Sequence, residues 1–263
     1  MCAAGVILLV LAACGDSGSA TRHINVSGST SVSPFAEHLA ELYQKQHAGK
    51  SINVQSLGSS AGIQAAAEGV AEIGMSSREL KTEEAERLEQ RIIARDGLAI
   101  IVHPNNPIQN LTQAQVQNLF SGNIANWKDV GGNDHRITLV VREAGSGTFS
   151  AFEELMMKGI PNAPSALRQG SNGAIRQVVA EDPNAIGYIS IGIVDKTVKA
   201  LSIDGAQPSI ENVRNDTYRF ARNFLFVWPK GKQLNPLAQD YVDYVMSDEG
   251  QDELERLGLV RVK

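Results

Sequence analysis

Cysteine is nearly absent: Cys2 and Cys14 are the only two in 263 residues. Both sit in the first fourteen positions, so the body of the chain has no material for a disulfide, a thiol nucleophile or a thiolate metal site. Histidine is equally sparse. The five (His23, His38, His47, His103, His135) are scattered without ligand spacing, which leaves no metal-site expectation. Basic charge is not in excess either: 24 Lys and Arg face 29 Asp and Glu, a net charge of -5. A nucleic-acid binder needs a Lys/Arg patch to neutralise phosphates, and none is visible. Gly145-Ser146-Gly147-Thr148 lacks the lysine of a nucleotide-binding loop, and no Gly-x-Gly-x-x-Gly follows a strand. Val6 to Ala13 is apolar but too short to span a bilayer, and no second membrane segment or solenoid repeat follows. The expected cofactors and metals are therefore none.

What the chain has instead is one device used several times. Val140-Val141-Arg142 is the end of an apolar strand. Glu143-Ala144-Gly145-Ser146-Gly147-Thr148 turns it into a helix whose stripe is Phe149, Phe152, Leu155 and Met156. A helix start gathers free N–H groups and the positive end of the dipole, so it suits an anion. Ser146 and Thr148 can donate, and Arg142 offers a planar fork that matches a tetrahedral oxyanion. The same order of strand, Gly/Ser/Thr turn and helix recurs at Gly28-Ser29-Thr30-Ser31-Val32-Ser33-Pro34, with Ser31 or Ser33 as expected N-cap. It recurs again at Gly58-Ser59-Ser60-Ala61-Gly62. Gly74-Met75-Ser76-Ser77-Arg78 closes a fourth apolar run. Four such turns predict an anion site made of neutral donors and helix ends. Beside it, Arg78 either adds charge or forms a surface pair, and Glu143 either orients Arg142 or faces water.

The patterning predicts an α/β fold. Strands and helices alternate up to about Leu80, the mark of parallel βαβ units. The charge-rich run from Arg78 to Arg95 alternates signs and is expected to be a solvated helix. Apolar strands near 98–103 and 224–228 are the natural crossovers between two lobes. The expected division is residues 1–13 as signal peptide, 14–22 as tether, 23–100 with 224–263 as a discontinuous lobe I, and 101–223 as lobe II. Trp127 and Trp228 are expected as core or hinge anchors, and Tyr188 and Tyr218 are candidates for the cleft.

Two resemblances sharpen this. Leu11-Ala12-Ala13-Cys14 resembles the bacterial lipoprotein lipobox, which implies cleavage before Cys14, lipid on its sulfur and a location on the outer face of the membrane or in the periplasm. The basic n-region of a standard leader is missing, which leaves the true start codon open. The four turns, together with Phe120-Ser121-Gly122…Asn126-Trp127 and Arg142 to Thr148, resemble the phosphate-binding lipoproteins of bacterial ABC importers, from about residue 24 to the C-terminus. The resemblance implies a type II periplasmic-binding-protein fold, each lobe a mostly parallel sheet flanked by helices, joined by two hinge strands. It implies phosphate binding by Thr30, Ser31, Ser59, Ser77, Arg142, Ser146, Gly147 and Thr148, delivery to a transmembrane permease, no enzymatic activity, no nucleic-acid partner and membrane contact through the lipid alone. Many members carry an aspartate where Ser77 stands, so selectivity over sulfate is open here, because a hydroxyl both donates and accepts.

Other classes remain. Gly58-Ser59-Ser60-Ala61-Gly62 matches the Gly-x-Ser-x-Gly elbow of serine hydrolases with Ser60 as nucleophile, but only His103 or His135 could complete a triad. A receptor for another tetrahedral oxyanion, or a non-transport sensor or adhesin lipoprotein, would use the same fold.

Overall fold

A computed structural model describes residues 22–262; the expected leader, Cys14 and all of the tether but Arg22 lie outside the described residues. The first half runs β1 (His23–Gly28), α1 (Ser33–Gln46), β2 (Ser51–Ser56), α2 (Ser59–Ala67), β3 (Ile73–Ser76), α3 (Thr82–Arg87) and the long β4 (Leu88–Val102). The middle runs β5 (Asn110–Leu111), α4 (Gln113–Phe120), β6 (Thr138–Arg142), α5 (Gly147–Ala151), β7 (Leu167–Gln169), α6 (Asn172–Glu181), β8 (Ala185–Ser190), β9 (Lys199–Ala200), β10 (Ser202–Ile203) and α7 (Ile210–Arg214). β11 (Ala221–Pro229), α8 (Pro236–Val245) and α9 (Asp248–Arg256) complete it.

One hydrogen-bonded sheet threads the molecule in the order β2-β1-β3-β11-β4-β8-β6-β7. β1 pairs parallel with β2 and β3, and β6 pairs parallel with β7 and β8. The antiparallel pairings in this sheet are those of β4 and β11. Parallel units therefore lie at both ends, and the two long strands carry the sheet from one to the other. β4 meets β11 over residues 88–97 and β8 over residues 98–102. The apolar cores part along the same strand. Ile93 and Ala94 join Ile24, Val26, Phe35, Leu39, Phe224 and Tyr241, whereas Leu98, Ile100 and Val102 join Phe120, Trp127, Phe152 and Tyr188. Trp127 is buried, and its Nε1–H donates to the Asn184 carbonyl.

Local expectations fare unevenly. Thr112 caps α4 through a reciprocal capping box with Gln115. At α1 the N-cap is Val32, without a side-chain cap, and the Ser33 hydroxyl instead donates to the Ser29 carbonyl. The expected caps Ser31 and Ser33 are thus not used, because Ser31 is drawn into a different hydrogen-bond network. The charged run 78–95 is helical only over α3. From Leu88 it is strand, with Leu225 opposite Ile92, Phe224 opposite Ala94 and a bulge between Phe224 and Leu225. Ladder pairing and burial of Ile93 and Ala94 outweigh the helical charge pattern, while Glu89 and Arg91 face solvent. After α5 the helix widens into a π-helical turn over Phe152–Met157, which buries Phe152, Met156 and Met157.

Two contacts set tolerances. α2 crosses β1 so closely that a Cβ on Gly62 would lie 2.4 Å from the Gly28 Cα and 2.4 Å from the Ser27 carbonyl oxygen. On the β4–β11 pair, Arg222 stands directly opposite Asp96, and its Nε and Nη2 both reach Asp96 Oδ2 at 3.1 Å with both side chains buried. Gly62→Ala should lower unfolding free energy by about 1–3 kcal/mol, the usual cost of overpacking, read as a lower urea midpoint with an unchanged slope. Asp96→Asn should cost about 3–5 kcal/mol in the same assay, because it leaves the buried Arg222 charge uncompensated.

Candidate functional site

The turns after β1 and β3, the start of α2 and the turn after β6 converge at the carboxyl ends of parallel strands, where ligand sites of open α/β sheets form. On one side three hydroxyls make a buried triangle. Ser29 Oγ donates to Ser77 Oγ at 2.9 Å, the Ser77 N–H donates to Ser59 Oγ at 3.1 Å, and the Ser59 and Ser77 oxygens are 3.3 Å apart. On the other side β6 ends at Arg142, and Ser146 caps α5 by accepting from the Phe149 N–H at 3.2 Å. Gly147 and Thr148 form its first turn.

The two sides touch. Ser31 Oγ and Thr148 Oγ1 are 2.7 Å apart, and the Ser60 N–H donates to the Gly145 carbonyl at 3.1 Å. A Cβ on Gly147 would stand 2.2 Å from Ser59 Oγ and 2.6 Å from Ser77 Oγ, so only glycine lets this backbone approach the triangle. Thr30 joins through Asn172, whose Nδ2 donates to Thr30 Oγ1 at 3.1 Å and to Ser31 Oγ at 2.8 Å. Ser31, Ser59, Ser77, Gly147 and Thr148 are thus in direct contact, with Thr30 one side chain away.

Arg142 is 1% exposed. Its Nε and Nη2 donate to the carbonyls of Gln169 and Gly170 at 3.1 and 2.8 Å, and its backbone N–H donates to Tyr188 Oη. Nη1 is buried without a hydrogen-bond partner among the described residues, and no ion pair to the guanidinium is found among them. Burial pulls its pKa down to about 10; the Tyr188 hydroxyl opposes that shift, and the Arg222 charge adds to it. It stays protonated at neutral pH. Carbonyls, and not Glu143, therefore aim this fork: the Glu143 side chain is exposed. Arg78 is engaged elsewhere, in a bidentate pair with Glu84 at 2.7 and 2.8 Å, which holds the Glu84 carboxyl below its usual range. Tyr188 thus lies beside the cluster, with its ring stacked on Phe152 at 3.9 Å, while the Tyr218 hydroxyl donates into the core at the Leu98 carbonyl.

Sequence reasoning misses Arg222 and Asn172. Arg222 Nη2 donates to Ser31 Oγ at 3.1 Å and Nη1 to the Ser77 carbonyl at 3.3 Å. Burial pushes the Asp96 carboxyl above its ordinary range, and the Arg222 charge opposes that shift. For Asn172 a signal exists, since Ser171-Asn172-Gly173 opens α6 as another small polar turn before a helix, with Ser171 as N-cap. For Arg222 the only signal is a lone cation heading the apolar run to Trp228. Ser60, the hydrolase candidate, accepts from Arg78 Nη2 at 3.4 Å and has no histidine partner among the described residues.

Comparison with known proteins gives the family. The model of the PBP superfamily domain matches residues 15–249. The phosphate-binding protein PstS of Bacillus subtilis (strain 168) is 30% identical over 93% of this chain and 86% of its own. That of Pseudomonas aeruginosa strain PAO1 is 31% identical over 89% and 81%. Among solved structures, a phosphate ABC transporter substrate-binding protein with bound phosphate from Clostridium perfringens is 42% identical, with a TM-score of 0.88 over 92% of this chain and 100% of that one. An ABC-type phosphate transport receptor from Vibrio cholerae is 39% identical, with a TM-score of 0.75 over 90% and 99%. The chain therefore belongs to the PBP superfamily, with the α/β periplasmic-binding-protein fold, and within it to the PstS phosphate-binding protein family.

Proposed function

We propose that this protein captures inorganic phosphate outside the cytoplasm and delivers it to the permease of an ABC importer, as a binding protein and not an enzyme. The observation that carries the reading is Arg142: a buried guanidinium, aimed by two carbonyls, with one nitrogen unpartnered among the described residues and no carboxylate paired with it. A cation so placed calls for an anionic partner, and the hydroxyls of the converging turns offer hydrogens to tetrahedral oxygens. The lobes are residues 23–100 with 224–263, and 101–223. The proposed ligand set is Thr30, Ser31, Ser59 and Ser77 from the first, with Arg142, Ser146, Gly147 and Thr148 from the second.

Phosphate enters on one lobe, and rotation about β4 and β11 brings the other onto it. Burial then strengthens each charge-assisted hydrogen bond by excluding water. A lipid on Cys14, outside the described residues, would hold the protein near its permease. No cofactor enters this reading, and the partners are phosphate, the permease and, through the lipid, the membrane.

Arg142→Ala should weaken phosphate binding by at least ~1.5–3 kcal/mol, the range for a charge-assisted bond, in calorimetry on protein freed of ligand by unfolding and refolding. An unchanged dissociation constant would remove Arg142 from the site. The wild type, titrated with phosphate and then sulfate, should bind phosphate one-to-one in preference to sulfate. Sulfate binding more tightly would keep the fold and change the ligand; silence to both would support the sensor or adhesin alternative.

A further inference from the structure

Ser31 sits at the centre of a hydrogen-bond chain with only one possible direction. A hydroxyl has one hydrogen to give and two lone pairs to receive. Both lone pairs of Ser31 Oγ are taken: Asn172 Nδ2 donates at 2.8 Å and Arg222 Nη2 at 3.1 Å. Guanidinium and amide N–H groups never accept, so the single hydrogen of Ser31 must go to Thr148 Oγ1 at 2.7 Å. The amide cannot be turned round, because the Ser190 backbone N–H donates to Asn172 Oδ1 at 3.3 Å. Nor can the guanidinium swing away. Asp96 holds its Nε at 3.1 Å, the Ser77 carbonyl accepts from its Nη1, and Asp96 is itself fixed by the Ser190 hydroxyl at 2.7 Å. The Thr148 hydroxyl has no other hydrogen-bond partner among the described residues, which leaves its own hydrogen for a ligand.

We infer that Arg222 and Asn172 are positioning residues that set the direction of the Ser31–Thr148 hydroxyl pair, so that Thr148 delivers a hydrogen to a bare oxygen of the bound anion. The inference rests on the phosphate reading. It also divides labour at the site. Ser31, although one of the proposed ligand set, completes its hydrogen bonds within the protein and so serves the anion through Thr148 and not by direct contact. The Ser59–Ser77 pair, whose mutual direction is not forced, keeps a lone pair able to accept a ligand proton as well as a hydrogen to give.

Removing Arg222 would strip Asp96 of its partner and test folding, so the experiment uses Asn172. Phosphate dissociation constants are measured by calorimetry for wild type, Asn172→Ala, Thr148→Val and the double variant, with melting temperatures alongside. Asn172→Ala should weaken phosphate about fivefold or more in the wild-type background, the scale of one net hydrogen bond. In the Thr148→Val background the same substitution should change the constant less than about twofold, although Asn172 and Thr148 share no hydrogen bond. A loss by the same factor in both backgrounds means that Asn172 only straps the two halves together, and overturns the inference. So does an unchanged constant in Asn172→Ala alone. Failure of the wild type itself to bind phosphate would instead bring down the reading beneath it.

Discussion

A positive charge buried without a negative one is the constraint on which the rest of this structure depends. Arg142 is as buried as the core around it, and the groups that orient it are backbone carbonyls. Isolating an ion from water costs several kcal/mol even after relaxation, so such a residue is kept only where another charge arrives to meet it. Each nearby choice is consistent with that arrival. No carboxylate is ion-paired with it among the described residues, the acidic Glu143 side chain is exposed, and Arg78 is already neutralised by Glu84. Buried Arg222 has its own aspartate, so one net positive charge remains among Arg142, Arg222 and Asp96.

The sheet makes this possible by bringing strand ends from distant parts of the chain to one place. Parallel strands end together, and their following turns become neighbours. β1, β3 and β6 each deliver one such turn, while β4 and β11 supply the antiparallel link between the two sets. Asp96 and Arg222 belong to this link and to the site at once. They face each other across the hinge strands, and Arg222 also touches Ser31 and the Ser77 carbonyl. Pairing of the two long strands and hydrogen bonding within the hydroxyl cluster are therefore properties of the same side chains.

Much of this is legible in the sequence because it is local. A glycine and serine turn between an apolar strand and an amphipathic helix declares its shape within ten residues, and Ser59, Ser77, Gly147 and Thr148 all come from such turns. Thr112 and Gln115 form their capping box for the same reason. The misreadings are long-range. Residues 88–95 carry a helical charge pattern, yet pair with a strand more than a hundred residues later. Ser31 and Ser33 look like caps until a partner 117 residues away claims Ser31. Arg222 has no motif around it, since its role follows from register with Asp96 and not from spacing. Asn172 has the right turn and helix, but one small polar turn among several gives no hint that its amide crosses to Ser31.

The hinge arrangement also bears on how the molecule is made. One core combines Ile24, Phe35 and Ile73 with Phe224, Phe226, Leu237, Tyr241 and Leu254, while another is built almost wholly from a continuous middle stretch. Contacts between residues two hundred positions apart close slowly, because loop entropy must be overcome first. The middle portion can gather its core as soon as it leaves the ribosome or the export channel. The N-terminal strands must wait, partly uncovered, until the last forty residues arrive to roof them. The chain's order thus imposes an order of assembly, and the interval before its end emerges is when it is most exposed to aggregation and most in need of a chaperone.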